Sequence, residues 1–289
     1  MGAEIVSLDS MAIYCGMDIG TAKPGRAEQA AVPHHLIDVV DPPQEYSVAQ
    51  YLGAAKQVVA NIRSRGHEVL FVGGTPMYLK CLLRGLFDGP PANWEMRQQI
   101  QEEADGLPPG VLHERLGQVD PLAAAHIHPN DTRRLVRALE VFRSTGEPIS
   151  HQQMEFEESC PAEACRVFVL QRDREEQRER IEARVDTMLA AGLVDETDGL
   201  TSNGKPLGRT ASQAVGYREA LDFLAGDLDL VTMTTKIKTR TRRFAKRQRT
   251  WFRSLSECRF VELAGEEDVE QVTARIAEWG TETGNPNRR

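Results

Sequence analysis

Four groups of residues carry side chains and spacings that could do chemistry. Asp9 follows the apolar run Glu4-Ile5-Val6-Ser7-Leu8 and so stands at the C-terminal end of a short strand, where open α/β sheets place their reactive groups. A carboxylate there can take a hydrogen bond or a proton from a nucleophile, or it can cap the next helix. Val72-Gly73-Gly74-Thr75 ends a second apolar run. Its glycines let backbone approach a ligand closely, and Thr75 brings a hydroxyl to a helix start, where anionic oxygens are stabilised. Arg184 lies in a charged run that reads by composition as a solvated helix face, although any guanidinium offers a planar, permanently charged fork to anionic oxygens. From Lys236 to Arg253 there are nine Lys or Arg and no Asp or Glu.

The 289-residue chain has a formal net charge of -8, and taking those nine cations away leaves -17 on the rest. A basic stripe segregated on an acidic body is a polyanion signal that overall charge conceals. No apolar run approaches the roughly 20 residues of a membrane helix. Met1-Gly2-Ala3-Glu4 is not the basic, then apolar leader of a secreted protein. We therefore expect a cytoplasmic protein with no membrane partner. Cys15, Cys81, Cys160, Cys165 and Cys258 form an odd set without C-x-x-C spacing, which argues for reduced thiols over structural zinc or a disulfide framework. His126 and His128, at i,i+2, would point apart on a helix, so we identify no metal ligands.

The elements that must position these groups are legible from periodicity. Val48 to Arg65 has helical spacing with Ser47 as N-cap and Gly66 as stop. Strand, helix, strand from Glu4 to Val72 is a βαβ unit and predicts a parallel sheet. A helix from Met77 to Leu83 leads to the break Gly89-Pro90-Pro91. Beyond it only helices are expected: Trp94 to Ala104, Val111 to Gln118, Pro121 to Ile127, and Asp131 to Thr145 with Gly146 as stop. Arg166 to Gln171 returns to strand, followed by helices Arg174 to Ala191, Ser212 to Leu224 and Thr234 to Leu255. The last of these should turn Ile237, Thr241, Phe244, Gln248 and Trp251 inward. A final strand covers Arg259 to Leu263, then a helix Val269 to Trp279 and a frayed tail from Thr281.

Several strings resemble one family. Asp9-Ser10-Met11-Ala12-Ile13-Tyr14 with Asp18-Ile19-Gly20-Thr21-Ala22-Lys23-Pro24 is similar to the DSxxxY…DIGTAKP signature of tRNA dimethylallyltransferases, the IPP transferase family. Pro33-His34-His35 resembles its PHHLID and is read as structural or wall-forming. Val72 to Tyr78 resembles VGGTxxY, and His126 to Val141 resembles IHPND…R…RALEV. Arg180 to Leu189 resembles RIExRxxxML, Gln213 to Tyr217 resembles QAIGY, and Thr241 to Gln248 resembles TRxxAKRQ. The resemblance runs from Gly2 to about Arg253.

It implies a P-loop-NTPase-like α/β fold, a parallel sheet flanked by helices with an inserted all-helical subdomain. Residues 1–91 and 159–289 would form the core, and 92–158 an insertion contacting tRNA. The implied reaction moves a dimethylallyl group from dimethylallyl diphosphate to N6 of adenosine 37, next to the anticodon, in tRNAs reading codons that begin with U. The implied cofactor is Mg²⁺ on the diphosphate. Adenine N6 is a weak nucleophile because its lone pair is delocalised, and a carboxylate accepting its N–H strengthens it. The resemblance gives that part to Asp9, with Thr75 beside it. It assigns Ser10, Met11 and Ala12 to the adenosine pocket and Arg184, Lys23 and Thr21 to the diphosphate. The tRNA would meet Thr75, Arg97, Arg133, Arg134, Arg137, Gln213, Gly216, Tyr217, Arg218, Arg242, Arg243, Lys246 and Arg247. The Asp18 to Pro24 turn is read as a flexible wall of the active site.

In that family a strand, a G-x-x-x-x-G-K-[ST] loop and a helix precede the DSxxxY string, whereas this sequence opens at Met1-Gly2-Ala3. We therefore expect the P-loop and its share of the Mg²⁺ site to be lacking, and the sheet to show a bare edge and exposed apolar surface. A start site further upstream is the favoured explanation, beside truncation or true loss. A catalytically impaired tRNA-binding paralogue is one alternative function. An adenylate isopentenyltransferase acting on free nucleotides is another, disfavoured by the helical insertion and the basic helix. We expect a monomer.

Overall fold

The computed structural model describes residues 2–86, 89–153, 159–202, 204, 206–265 and 269–282. β1 (Ala3–Ser7), α1 (Arg26–Ala31), β2 (His34–His35), α2 (Val48–Ser64), β3 (Glu68–Val72) and α3 (Pro76–Arg84) follow in order. The helical crossover between β1 and β3 makes them parallel, with Ile5 opposite Leu70 and Ser7 opposite Val72. β2, not anticipated from the pattern, adds in parallel to the other edge, giving the order β2-β1-β3. α2 starts where the sequence says. The Ser47 hydroxyl accepts from the Gln50 N–H at 3.2 Å, and the Gln50 side chain accepts from the Ser47 N–H at 2.8 Å. That reciprocal cap satisfies two otherwise orphaned backbone donors.

The chain divides into two compact units, Met1–Leu83 with Ser159–Arg289, and Arg84–Glu158. Among the described residues, the regular structure of the second is helical: α4 (Trp94–Glu102), α5 (Val111–Val119), α6 (Pro121–His126), α7 (Thr132–Thr145) and α8 (Ile149–Gln153). Asp131 caps α7 and Gly146 ends it at φ 77°, a left-handed conformation that glycine adopts without a Cβ penalty. Ile100, Leu116, Leu135, Leu139 and Val141 form its core.

The first unit resumes with β4 (Val167–Arg172), α9 (Arg174–Ala190), α10 (Leu193–Thr201), α11 (Tyr217–Leu224), α12 (Leu230–Arg253), β5 (Cys258–Leu263) and α13 (Val269–Glu282). β4 and β5 pair in parallel. The helix expected over Ser212 to Leu224 is split: a single 3-10 turn covers 211–213, and Gly216 at φ 96° precedes α11. α12 begins a turn earlier than its basic run suggested, capped by Asp229. The tail beyond Glu282 lies outside the described residues.

Two apolar clusters fill this unit. One joins β1, α2 and β3 to the end of α12 through Val6, Leu8, Tyr51, Ile62, Tyr78 and Phe252. The other joins the chain after β1 to α9, α10, α11 and the start of α12 through Ile13, Tyr14, Val185, Leu193, Tyr217 and Ile237. Asp9 lies between Leu8 of the first and Ile13 of the second. Among the described residues no strand pairs with the outer edges of β3 and β4, and Leu70, Val72 and Leu170 on those strands are exposed. No described helix is long and apolar enough to cross a membrane.

At the opposite end of β1, the carboxylate of Glu4 is buried and takes hydrogen bonds from Arg65 at 2.9 Å and from His35 and His67 at 2.6 Å each. The Arg65 hydrogen bond, then that of His35, hold its pKa down to about 2 from 4.5, against the opposing effect of burial. A depressed carboxylate stabilises the fold above its unfolded pKa, and that contribution is lost as pH falls from about 4.5 toward 2. Glu4→Gln should therefore lower Tm at neutral pH and flatten the fall of Tm over that acid range, measured by circular dichroism melts.

Candidate active site

The parallel register brings the ends of β1 and β3 to one edge, and a set of short bonds stitches the loops that leave them. The Leu8 N–H donates to the Val72 carbonyl at 2.7 Å, and the Thr75 N–H donates to the Leu8 carbonyl at 3.0 Å. A Cβ at Gly73 would lie 2.4 Å from the Leu8 carbonyl carbon and oxygen, so only glycine permits this approach. The Ser10 N–H then donates to the Thr75 hydroxyl at 3.0 Å. From α12, the Gln248 amide donates to the Gly74 carbonyl at 2.5 Å, and a Cβ at Gly74 would meet that amide. Below, Tyr78 stacks on Tyr51 with ring centroids 3.9 Å apart, and the Tyr51 hydroxyl donates to the Ser7 carbonyl at 2.9 Å. Burial, then the neighbouring phenols of Tyr14 and Tyr46 and the charge of Asp9, push the Tyr78 hydroxyl pKa up.

Of the two readings of Asp9, the structure shows the cap, made on a turn that precedes no helix. Its Oδ1 accepts from the Met11 N–H at 2.7 Å and the Ala12 N–H at 3.2 Å, capping the turn. Its Oδ2 has no partner among the described residues, and the side chain is half-buried. One oxygen fixes the carboxylate plane and the other remains an unused acceptor. Met11 and Ala12 serve through their N–H groups, and the Ala12 side chain is buried in the core, which corrects its assignment to a pocket wall.

The Asp18 to Pro24 turn is tied down by hydrogen bonds from several sides. Glu196 of α10 accepts from the N–H groups of Asp18 and Ile19 at 3.1 and 2.9 Å and from the Tyr217 hydroxyl at 2.5 Å. Tyr217 accepts in turn from the Gly20 N–H at 3.1 Å, and a Cβ at Gly20 would lie 2.4 Å from its ring. Lys23 has a side chain 3% exposed and donates to the Tyr14 carbonyl at 2.6 Å, to Asp18 at 2.7 Å and to Asp38. All three of its N–H donors are engaged, and two carboxylates neutralise it, so it is a strut of the turn and not a free cation for a diphosphate. The Thr21 hydroxyl donates to the Met17 carbonyl at 2.6 Å. Tyr217 is fully buried and Gly216 is buried too, which corrects their assignment to an RNA surface. Gln213 and Arg218 are exposed and hydrogen-bonded to each other at 3.1 Å.

The cations sort into two kinds. On α12, Arg242 pairs with Glu182 and Lys238 with Asp186, both of α9, and Arg240 pairs with Glu219 of α11. Lys236, Arg243, Lys246, Arg247 and Arg249 have no hydrogen bond or ion pair from their side chains among the described residues. Arg184 of α9 is exposed and equally uncommitted. In the helical unit, Arg97 and Arg137 converge on the fully buried Glu140 at 2.9 and 2.6 Å, and Arg137 also donates to the Pro90 carbonyl at 2.8 Å. Both are structural, a correction to their place among RNA contacts. Arg133 is exposed and unpaired among the described residues, and Arg134 is exposed with a loose 3.3 Å contact to Asp131.

A family model described as IPP transferase matches residues 12–255. The chain belongs to that family. It is 46% identical to a tRNA dimethylallyltransferase of Rhodopirellula baltica over 95% of this chain and 83% of that protein. With one of Geobacter metallireducens it is 44% identical over 93% and 87%. Its fold is that of the solved tRNA isopentenylpyrophosphate transferase of Bacillus halodurans, with a TM-score of 0.69, 33% identity, and 97% and 88% of the two chains covered. A eukaryotic dimethylallyltransferase solved acting on tRNA matches with a TM-score of 0.77 at 25% identity, over 99% of this chain and 75% of that one. The architecture is thus the P-loop-NTPase-like α/β class of these IPP transferases, with its helical unit set into the chain between α3 and β4.

Two residues that hold the site had not been assigned to it. Gln248 lay in a quoted string and was read only as inward-facing. Glu196 had no local signal, because its role depends on a turn 178 residues away. Gln248→Ala should reduce turnover at least tenfold while costing about 1 kcal/mol of stability, the net value of one hydrogen bond. Parallel kinetics and denaturation would show this. In the helical unit, Arg137→Ala should lower Tm and leave RNA affinity per folded molecule unchanged, whereas Arg133→Ala should do the reverse. Melting curves and filter binding on the same preparations decide it.

Proposed function

We propose that this chain transfers a dimethylallyl group from its diphosphate to N6 of the adenosine beside the anticodon, in tRNAs reading codons that begin with U. Membership of the IPP transferase family and relatives bearing the name tRNA dimethylallyltransferase support the reaction class. The observation that carries the reading is the divided carboxylate of Asp9, with Oδ1 tied to two N–H groups and Oδ2 left as acceptor. With the adenine out of its stack, as chemistry on a base requires, the N6–H donates to Oδ2. The N6 lone pair then forms a bond to the allylic carbon as the bond from that carbon to the diphosphate oxygen breaks. The proton from N6 passes to Asp9. Thr75 stands beside Asp9 through Ser10 and borders the entering base. Arg184, an uncommitted guanidinium, is suited to the charge gathering on the leaving diphosphate. Lys23 is not part of that task.

Mg²⁺ would come with the diphosphate, and not from a cage built by the described residues. Among the described residues no three His, Cys, Asp or Glu side chains gather as a metal cage, and Mg²⁺ commonly rests on one or two carboxylates plus phosphate oxygens and water. It would supply charge neutralisation to the leaving group. Arg133 and Arg134 in one unit and Arg243, Lys246 and Arg247 in the other would meet RNA phosphates. The protein would act as a monomer in the cytoplasm.

Unmodified tRNA, Mg²⁺ and radiolabelled dimethylallyl diphosphate test the proposal. Asp9→Asn is the informative variant, since its Oδ1 can still cap the turn while its amide nitrogen cannot accept the N6–H. We expect label on the tRNA with the native chain, and roughly 10²- to 10⁴-fold less turnover with Asp9→Asn at unchanged RNA affinity. No transfer by the native chain with tRNA still bound would leave a binding protein in place of a transferase.

A further inference from the structure

Phe244 lies on the face of α12 that its periodicity turns inward, together with the buried Ile237, with Thr241, and with Gln248, which reaches Gly74. Yet Phe244 is 48% exposed, so its ring is not absorbed by the core it faces. A single exposed aromatic is unremarkable by itself. Its surroundings are not. It precedes Gln248 by one turn, about 6 Å along the helix axis, and Gln248 is bonded to the residue before Thr75, whose hydroxyl holds Ser10 beside Asp9. The helix turn that follows the ring is thus tied, through Gln248, Gly74 and Thr75, to the loop that carries Asp9. The neighbouring cations Arg243 and Arg247, which lie next to it on one side of the helix, have no partner among the described residues, whereas Lys238, Arg240 and Arg242, just before it on the same helix, each have a carboxylate. The carboxylates that bolt α12 stop short of Phe244, and from there the helix shows an open aromatic face beside open guanidinium groups.

We propose that Phe244 is a stacking platform for an unpaired base of the RNA loop at the entrance to the Asp9 site, with Arg243 and Arg247 holding the phosphates beside it. Aromatic rings interleaved with cations are how single-stranded RNA is gripped. Stacking needs no particular base, which suits a residue that orients the loop and leaves selection of the adenosine to the pocket. The inference rests on the reading of the site as one that takes an RNA adenosine.

Anisotropy of a fluorescein-labelled, unmodified anticodon stem-loop RNA, without prenyl donor, tests it on the native chain and on Phe244→Trp, Phe244→Leu and Phe244→Ala. We expect Trp to bind as the native chain does, and Leu and Ala to bind about tenfold more weakly or worse, all with unchanged melting temperatures. In steady state the KM for RNA should rise in the Leu and Ala variants while the KM for dimethylallyl diphosphate stays put. Leu matching Phe in RNA affinity would overturn the proposal, because leucine keeps the apolar bulk and loses only the stacking face. A rise in the KM for the donor alone would also overturn it, placing the ring against the prenyl group. If the native chain fails to bind the stem-loop at all, the RNA reading itself fails. Native binding with indifferent variants removes the platform only.

Discussion

The site depends on how closely two backbones can approach at the ends of β1 and β3. Gly73 lies against the Leu8 carbonyl with no room for a Cβ, and the Leu8 to Val72 and Thr75 to Leu8 hydrogen bonds exist because of that contact. Those bonds set the height of Thr75, and Thr75 sets Ser10. The peptide after Ser10 then points the N–H groups of Met11 and Ala12 back at Asp9. Gln248 enters the same sequence of contacts through Gly74, so the long basic helix is tied to the loop carrying Asp9 by a side-chain amide on a backbone carbonyl. A side chain at either glycine would force these segments apart.

Around that contact the protein keeps two classes of charge apart. Arg97 and Arg137 lie against the buried Glu140, and the buried ammonium of Lys23 is held by a backbone carbonyl and two exposed carboxylates; all three act as braces, where losing one partner would leave the other uncompensated. Arg184, Arg243, Lys246, Arg247 and Arg133 are left to solvent. Composition cannot separate these classes, because both are simply Lys or Arg within charged helices.

That limit marks how far the sequence could be read. Ser47, Asp131 and Gly146 were assigned correctly because capping is a contract between neighbours three or four residues apart. The parallel pairing of β1 with β3 followed from chain length and handedness. The capping reading of Asp9 was legible because a carboxylate just past a strand meets the free N–H groups of the turn that follows. Lys23, Tyr217, Arg97 and Arg137 were misplaced for one common reason: each lies in a string that looks exposed, and each is claimed by an acid or a backbone carbonyl whose position only the folded chain fixes. α10 was missed because Leu193 to Leu200 mixes acids and apolar residues without a clean stripe. Phe244 followed the helical period and still remained outside the core, since periodicity gives the direction of a side chain and not what awaits it there.

The bolting of α12 also bears on how the protein would let its product go. The pairs of Arg240 with Glu219 and Arg242 with Glu182 sit between packed helices, with both partners about one third exposed or less, while Arg243, Lys246 and Arg247 stand in water. Mobile ions screen exposed charges over about 8 Å at physiological ionic strength and reach partly buried pairs far less. A rise in salt would therefore loosen a polyanion from the open face while the ion pairs seating the helix persist. Attachment and architecture respond to the same solvent on different scales, and the helix can shed its cargo without losing its own seat.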